Sequence, residues 1–102
     1  MVIELLKVKI PPNLREKYIQ KDAEIWTAAL AKYPGFMAKE VWINPNDPTE
    51  VVLIIRWQTR EHWHAIPEAD LQAIALNFDA AMGNSYPIVE SAEYQVRKFP
   101  HS

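Results

Sequence analysis

The sequence predicts an α+β protein with a ferredoxin-like β-α-β-β-α-β sandwich, and two observations carry this prediction. Runs with the period of strands and runs with the period of helices follow one another in that order along the 102 residues. In addition, residues 51–55 are five consecutive aliphatic side chains, which leave the strand no polar face. Because such a strand is covered on both faces, we expect helices on one side of the sheet and a second copy of the chain on the other.

Composition limits the class of protein. The net charge is -2 and no block of basic residues is present, which argues against nucleic acid as a partner. The chain has no cysteine, so disulfides and thiolate metal sites are excluded. No apolar run approaches the roughly 20 residues of a membrane helix, and the N-terminus has the pattern of a strand instead of a signal peptide. We expect a single domain over residues 1–102, located in the cytoplasm.

The first half of the chain predicts a strand, a helix and an edge strand. Residues 2–10 form the first strand, in which apolar and polar side chains alternate in part. Asn13 is a suitable N-cap for a helix over residues 14–33, whose apolar side chains share one broad face. Residues 36–44 follow as a strand, and the two adjacent charges that begin at Lys39 are typical of the edge of a sheet.

The second half predicts a hairpin, a broken helix and a last strand. A proline-containing turn at residues 45–48 joins the edge strand to the aliphatic strand over residues 50–58. Thr59 can cap a short helix, and a longer helix over residues 68–82 follows. A more polar strand over residues 88–99 ends the chain. The first and third strands are the most apolar on both faces, so we expect them in the centre of the sheet.

Asp22 is the most unusual polar residue of the predicted first helix, because its position falls in the middle of the apolar face. A buried carboxyl group needs a partner or stays neutral, and in a pocket it could act as a general base on a phenol or quinol. The alternative is a structural carboxylate paired with a lysine or arginine at a helix–sheet or dimer contact. Trp26 lies one turn later, either as an aromatic wall for a flat ligand or as a core or interface anchor.

Further candidates follow the aliphatic strand. Arg56 could hold an anionic group of a ligand or stabilise an enolate. The alternative is a salt bridge across or beyond the sheet to Glu4, Glu40, Glu90 or Glu93. His62 could act as an acid or base, or lie at the surface where the short helix begins. Trp57 and Trp63 are candidates for a pocket wall, and Trp57 also suits the core. His62 and His64 do not face the same way on a helix, so no metal site is predicted.

A family resemblance rests on two segments, Pro34-Gly35-Phe36 and Arg56-Trp57-Gln58-Thr59-Arg60-Glu61-His62-Trp63. With the order of elements, they resemble the antibiotic biosynthesis monooxygenase family. The resemblance implies a dimeric α/β barrel with a ligand pocket between the helices and the sheet of each protomer. That superfamily includes cofactor-independent monooxygenases of quinols and polyketide aromatics, and haem-degrading enzymes. Its haem-degrading members use an Asn near the first strand and a His on the second helix. Residues 2–8 have no Asn and residues 69–82 have no His, so haem degradation is not expected.

Two functions from different classes therefore remain open, and the sequence does not decide whether the protein is an enzyme. The first is a cofactor-independent monooxygenase that acts on a small aromatic or quinol-type compound. Its catalytic candidates are Asp22, Arg56 and His62, and its substrate-binding candidates are Trp26, Trp57 and Trp63. The second is a non-catalytic dimer that binds a small ligand or has a structural role. Both hypotheses expect a homodimer, and neither includes a metal or another cofactor.

Overall fold

The structure, a computed structural model, describes residues 1–99. In chain order its elements are β1 (Val2–Lys9), a 3-10 turn (Pro12–Leu14), α1 (Arg15–Lys21), a π-helical segment (Asp22–Thr27), α2 (Ala28–Leu30), β2 (Phe36–Asn44), β3 (Asp47–Trp57), α3 (Arg60–His64), α4 (Glu68–Met82) and β4 (Ile88–Gln95). The strands form one antiparallel sheet in the order β2-β3-β1-β4. This arrangement confirms the ferredoxin-like α+β prediction, with the first and third strands in the centre.

The helices cover one face of the sheet, here called the covered face, and the opposite side is called the open face. β1 and β3 pair along their whole length, from Val2 opposite Trp57 to Lys9 opposite Glu50. Because side chains alternate between faces, the even-numbered residues of β1 and the odd-numbered residues of β3 lie on the covered face. The main hydrophobic core is built there, and Val8, Val51 and Trp57 are completely buried in it.

The aliphatic run in β3 is buried on both faces to different degrees. On the covered face Leu53 and Ile55 are part of the core. On the open face Ile54 is only 1% exposed, because it lies between Leu5 of β1 and Glu40 of β2. Its neighbour on that face, Val52, is partly exposed. A single chain therefore already covers Ile54, and the homodimer stays a prediction.

The first helical region differs from the regular helix that the sequence predicts. Asn13 is not an N-cap, so that prediction is wrong: Leu14 precedes α1 and no side chain caps it. The reason is the 3-10 turn that precedes the helix. The Leu14 N–H donates a hydrogen bond to the Pro11 carbonyl at 2.9 Å, so a backbone hydrogen bond takes the place of a side-chain cap. The middle of the helix is widened into a π segment, in which the Ala28 N–H donates to the Ala23 carbonyl.

The second half follows the prediction more closely. The Thr59 hydroxyl accepts a hydrogen bond from the His62 N–H at 3.1 Å and caps α3 as expected. α4 has the predicted bounds, and it ends at Gly83, whose φ of 78° is in the left-handed region that glycine favours. The fourth strand ends at Gln95, earlier than predicted. None of the helices within residues 1–99 is long and apolar enough to cross a membrane.

Candidate active site

A cavity of about 380 Å³ lies between the covered face and the helices. Most of its wall is apolar, and six aromatic side chains contribute to it. These are Tyr18, Trp26, Trp57, Trp63, Phe78 and Tyr86. The ring of Tyr18 makes edge-to-face contacts with Phe78, at a centroid distance of 5.1 Å, and with Tyr86, at 6.4 Å. Such an enclosure suits a flat, largely apolar ligand.

One charged pair is buried in the cavity wall. Asp22 is 1% exposed and the side chain of Lys39 is 3% exposed. The Lys39 Nζ donates a hydrogen bond to Asp22 Oδ1 at 2.7 Å and lies 2.6 Å from Oδ2. The Oδ2 atom is out of line for a hydrogen bond with this amine, and no other described residue provides one. Burial raises the pKa of Asp22, and the charge of Lys39 opposes that rise.

Local backbone geometry places both partners. Asp22 is the first residue of the π segment, and short π segments inside α-helices are frequent at functional sites. Lys39 follows a register shift in β2, where Phe36 is opposite Trp57 and Ala38 is opposite the next residue, Arg56. Such a bulge adds one residue to a strand and reverses which face the later side chains occupy. Lys39 therefore lies on the covered face, although it is an odd number of residues away from Phe36.

A second carboxyl group, which is partly buried, lines the same cavity. Glu4 is on the covered face of β1, and the Trp57 indole Nε1 donates to its Oε1 at 3.3 Å. Burial raises the pKa of Glu4, while this hydrogen bond and the charge of Lys39 oppose the rise. Burial also raises the pKa of Tyr18 far above its ordinary value, so its phenol stays protonated at neutral pH. The cavity thus holds the buried carboxyl group of Asp22 and the partly buried one of Glu4 near a single lysine.

A second cavity of about 410 Å³ adjoins the first on the side of β4. Four residues line both cavities: Glu4, Leu6, Trp63 and Ile88. The outer wall of the second cavity includes Glu93, whose carboxylate accepts a hydrogen bond from the Arg60 guanidinium at 2.8 Å. Trp63 and Glu4 therefore lie at the junction of the two cavities.

Four of the six residues singled out in the sequence line the main cavity, namely Asp22, Trp26, Trp57 and Trp63. Arg56 and His62 do not. Arg56 is on the open face, with its Nη2 3.6 Å from Glu40 Oε2, which matches the salt bridge considered as its alternative role. His62 Nδ1 lies 2.7 Å from the Thr59 hydroxyl, and its ring packs so closely on Gly35 that a Cβ there would overlap it. Their catalytic roles stay predictions without support from this cavity.

Sequence reasoning missed Lys39 and Glu4. Lys39 was interpreted as an edge charge, and only the register shift brings it inward. Glu4, Leu6 and Val8 follow one another at intervals of two residues, so they share one face of the strand. This spacing was a usable signal, because it places a carboxylate on the same face as the apolar residues of the core. Within residues 1–99 there is no group of three or more His, Cys, Asp or Glu side chains that could hold a metal ion.

Comparison with known proteins agrees with this architecture. Residues 1–70 match the family described as antibiotic biosynthesis monooxygenase. No curated protein matches the chain in sequence.

Several solved structures share the fold. A monooxygenase from the gene ActVA-Orf6 of Streptomyces coelicolor, in complex with the ligand Nanaomycin D, superposes with a TM-score of 0.73 at 14% identity, covering 99% of this chain and 91% of that one. SnoaB, a cofactor-independent oxygenase from Streptomyces nogalater, has a TM-score of 0.66 at 16% identity, covering 96% and 94%. A conserved protein from Methanosarcina mazei has a TM-score of 0.65 at 13% identity, covering 92% and 90%.

Proposed function

Because the chain belongs to the antibiotic biosynthesis monooxygenase family, we propose that it is a cofactor-independent monooxygenase that oxidises a small hydroxylated aromatic or quinol-type compound. The observation that carries this proposal is the Asp22–Lys39 pair, buried in the wall of a mostly apolar cavity. An ion pair loses hydration when it is buried, and this loss often exceeds the attraction between the charges. Such a pair therefore adds little net stability, which supports a chemical role over a purely structural one.

The proposed reaction needs no external reductant. A substrate hydroxyl loses its proton, and the resulting anion transfers electrons to O2. One oxygen atom forms a carbonyl on a substrate carbon that has lost its hydrogen, and the other oxygen atom leaves as water. A substrate SH2 and O2 thus give SO and H2O, so all the electrons that oxygen accepts come from the substrate. The protein has to accept a proton, stabilise negative charge and exclude water.

The described side chains supply groups for these tasks. Lys39 provides the positive charge that stabilises a substrate anion, because it is nearly free of competing water. Asp22 holds the Lys39 ammonium in place through a hydrogen bond at Oδ1, and its other carboxylate oxygen, which has no hydrogen-bond partner among the described residues, is the atom that could accept a proton as a general base. Trp26 and Trp63 provide aromatic walls that orient a flat ring.

Oxygen uptake with a panel of naphthols and dihydroxynaphthalenes tests the proposal. We expect catalysed uptake and a product that has gained one oxygen atom and lost two hydrogen atoms. Ala75→Phe places a ring into the cavity that Ala75 lines and should abolish uptake. Ala73→Phe on the same helix is the matched control, because Ala73 is exposed and the substitution should leave the rate unchanged.

Two results would contradict the proposal. The first is wild-type uptake no faster than the uncatalysed reaction for every compound, and the second is equal loss of activity in both phenylalanine variants. If the same compounds quench tryptophan fluorescence without any oxygen uptake, the non-catalytic ligand-binding role is favoured instead.

A further inference from the structure

The buried carboxyl group of Asp22 and the partly buried one of Glu4 differ in whether a cation balances their charge. Both oxygens of Asp22 lie within 2.7 Å of the Lys39 Nζ, so the charges of these two groups compensate each other. The hydrogen bond that Glu4 receives comes from the neutral indole of Trp57, at 3.3 Å. Glu4 also lines both cavities, whereas Asp22 lines only the main one. A ligand in either cavity can therefore meet Glu4.

We propose that Glu4 is the proton acceptor of the cavity, and that the cavity selects neutral aromatic ligands with an acidic hydroxyl, which it holds as the anion near Lys39. This inference rests on the proposed function only in that the ligand occupies the same cavity. It concerns ligand binding and proton transfer, and molecular oxygen takes part in none of its steps.

The charged groups around Glu4 favour a neutral ligand. From β2 it is approached by Lys39, which is paired with Asp22 of the π segment. From β4 it is approached by Glu93, its partner in the strand register, which is paired with Arg60 at 2.8 Å. Asp79 of α4 adds another carboxyl group to the cavity wall. Carboxylates outnumber cations around the cavity, so a ligand that arrives as a carboxylate is repelled and a neutral phenol is not.

The proton transfer is a balanced exchange between two oxygen acids. The O–H bond of the ligand breaks, a new O–H bond forms on the Glu4 carboxylate, and no electrons are transferred. The ligand anion is stabilised by the buried ammonium of Lys39. Burial raises the pKa of Glu4, which makes this carboxylate a stronger base than an exposed one and brings it closer to an acidic phenol.

The experiment uses para-nitrophenol, whose neutral and ionised forms absorb at different wavelengths, with protein in excess so that the probe is bound. In the wild type the proton can pass to Glu4 within the complex, so the ratio of bound anion to bound phenol should change by much less than tenfold per pH unit between about pH 7 and about pH 9. In Glu4→Gln the proton must go to solvent, so the same ratio should change about tenfold per pH unit. Glu4→Asp keeps a carboxyl group and should restore the weak pH dependence of the wild type.

Glu40→Gln is the matched control, because it removes the same charge from the open face and should behave as the wild type. The methyl ether para-nitroanisole, which has no proton to give, should bind more weakly to the wild type but not to Glu4→Gln. A wild-type ratio that follows bulk pH would overturn the proposal, as would equal binding of both probes or no binding of either. The oxygen-uptake assay is unaffected by these outcomes, so the two proposals can fail separately.

Discussion

The two faces of the sheet each carry an ion pair, and the two pairs lie in different surroundings. On the covered face the Lys39 and Asp22 side chains are 3% and 1% exposed, with a shortest nitrogen–oxygen distance of 2.6 Å. On the open face the Arg56 and Glu40 side chains are 24% and 43% exposed, at 3.6 Å. A partly exposed pair is screened by water and contributes little to stability. Removing one member of a buried pair leaves the other charge buried with neither a partner nor water around it, which destabilises the folded state strongly.

One irregularity in β2 separates these two environments. Lys39 and Glu40 are neighbours in sequence, and the register shift before Ala38 fixes which of them turns inward. If β2 were regular from Phe36 onward, alternation would place Glu40 on the covered face and Lys39 on the open face. The bulge therefore determines that the cavity contains a cation.

The largest expected effect comes from breaking the buried ion pair, and the partly exposed pair on the open face serves as its comparison. Asp22→Ala leaves the Lys39 ammonium buried without a partner, so the free energy of unfolding should fall by about 3–5 kcal/mol. Glu40→Ala on the open face should lower it by about 0–1 kcal/mol. Urea unfolding of both variants, followed by far-UV circular dichroism, gives the two values.

A double variant separates the cost of an unpaired charge from the value of the pair. Asp22→Leu with Lys39→Met replaces both charges by apolar side chains, so most of the stability lost in Asp22→Ala should return. If the double variant is as unstable as the single one, the pair itself stabilises the fold, and the argument for a chemical role loses its support.

The sequence predicted the order and type of the elements because each has a strong local signal. The aliphatic run of β3, the cap at Thr59 and the stop at Gly83 do not depend on distant contacts. Asp22 was also placed correctly on the inner side of its helix, because it is the first residue of the π segment and precedes the change in helical phase that the widening causes.

Which residues line the cavity was predicted less well. Each of these errors has a physical reason. The aliphatic run in β3 has no alternation of apolar and polar residues, so nothing in it showed whether the face that Arg56 shares with Ile54 is the covered one or the open one. The face of Lys39 depends on a register shift of β2 against β3, which is a property of two paired strands and not of either one. Residues 100–102, including His101, lie outside the described part of the chain.

An intermediate effect is expected for a substitution on the open face of the sheet. We propose that homodimerisation uses this face, on which Trp42 is 49% exposed and Tyr94 is 57% exposed. Trp42→Glu should weaken association by about 2 kcal/mol or more, because buried tryptophans are frequent anchors of interfaces. Sedimentation velocity should show a wild type of twice the 11.8 kDa chain mass and a shift of the variant toward the monomer.

The control for this prediction is Leu76→Glu. Leu76 is 72% exposed but lies on α4, in the helix layer, so its substitution should leave association unchanged. A monomeric wild type at micromolar concentration, or equal dissociation of both variants, would contradict the placement of the interface on the open face.

The smallest expected effect is a pH dependence of stability that arises from Glu4. Its pKa is raised by burial in the folded chain, so between the ordinary value of 4.5 and the raised value the folded state binds more protons than the unfolded state. The contribution of Glu4 to stability is therefore present at lower pH and is lost as pH rises through this window, with a slope of at most about 1.4 kcal/mol per pH unit. Glu4→Gln should gain stability relative to the wild type across the window and run parallel to it above.

Asp47, at the start of β3, provides a contrast of opposite sign. A hydrogen bond from Lys9 is the main cause that holds the pKa of Asp47 below its ordinary value. Its contribution is therefore present above 3.8 and is lost as pH falls. Thermal unfolding of the wild type, Glu4→Gln and Asp47→Asn at a series of pH values compares the two groups directly. If the Glu4→Gln curve stays parallel to the wild type throughout, the hydrogen bond from Trp57 and the charge of Lys39 offset the effect of burial on the pKa of Glu4 completely.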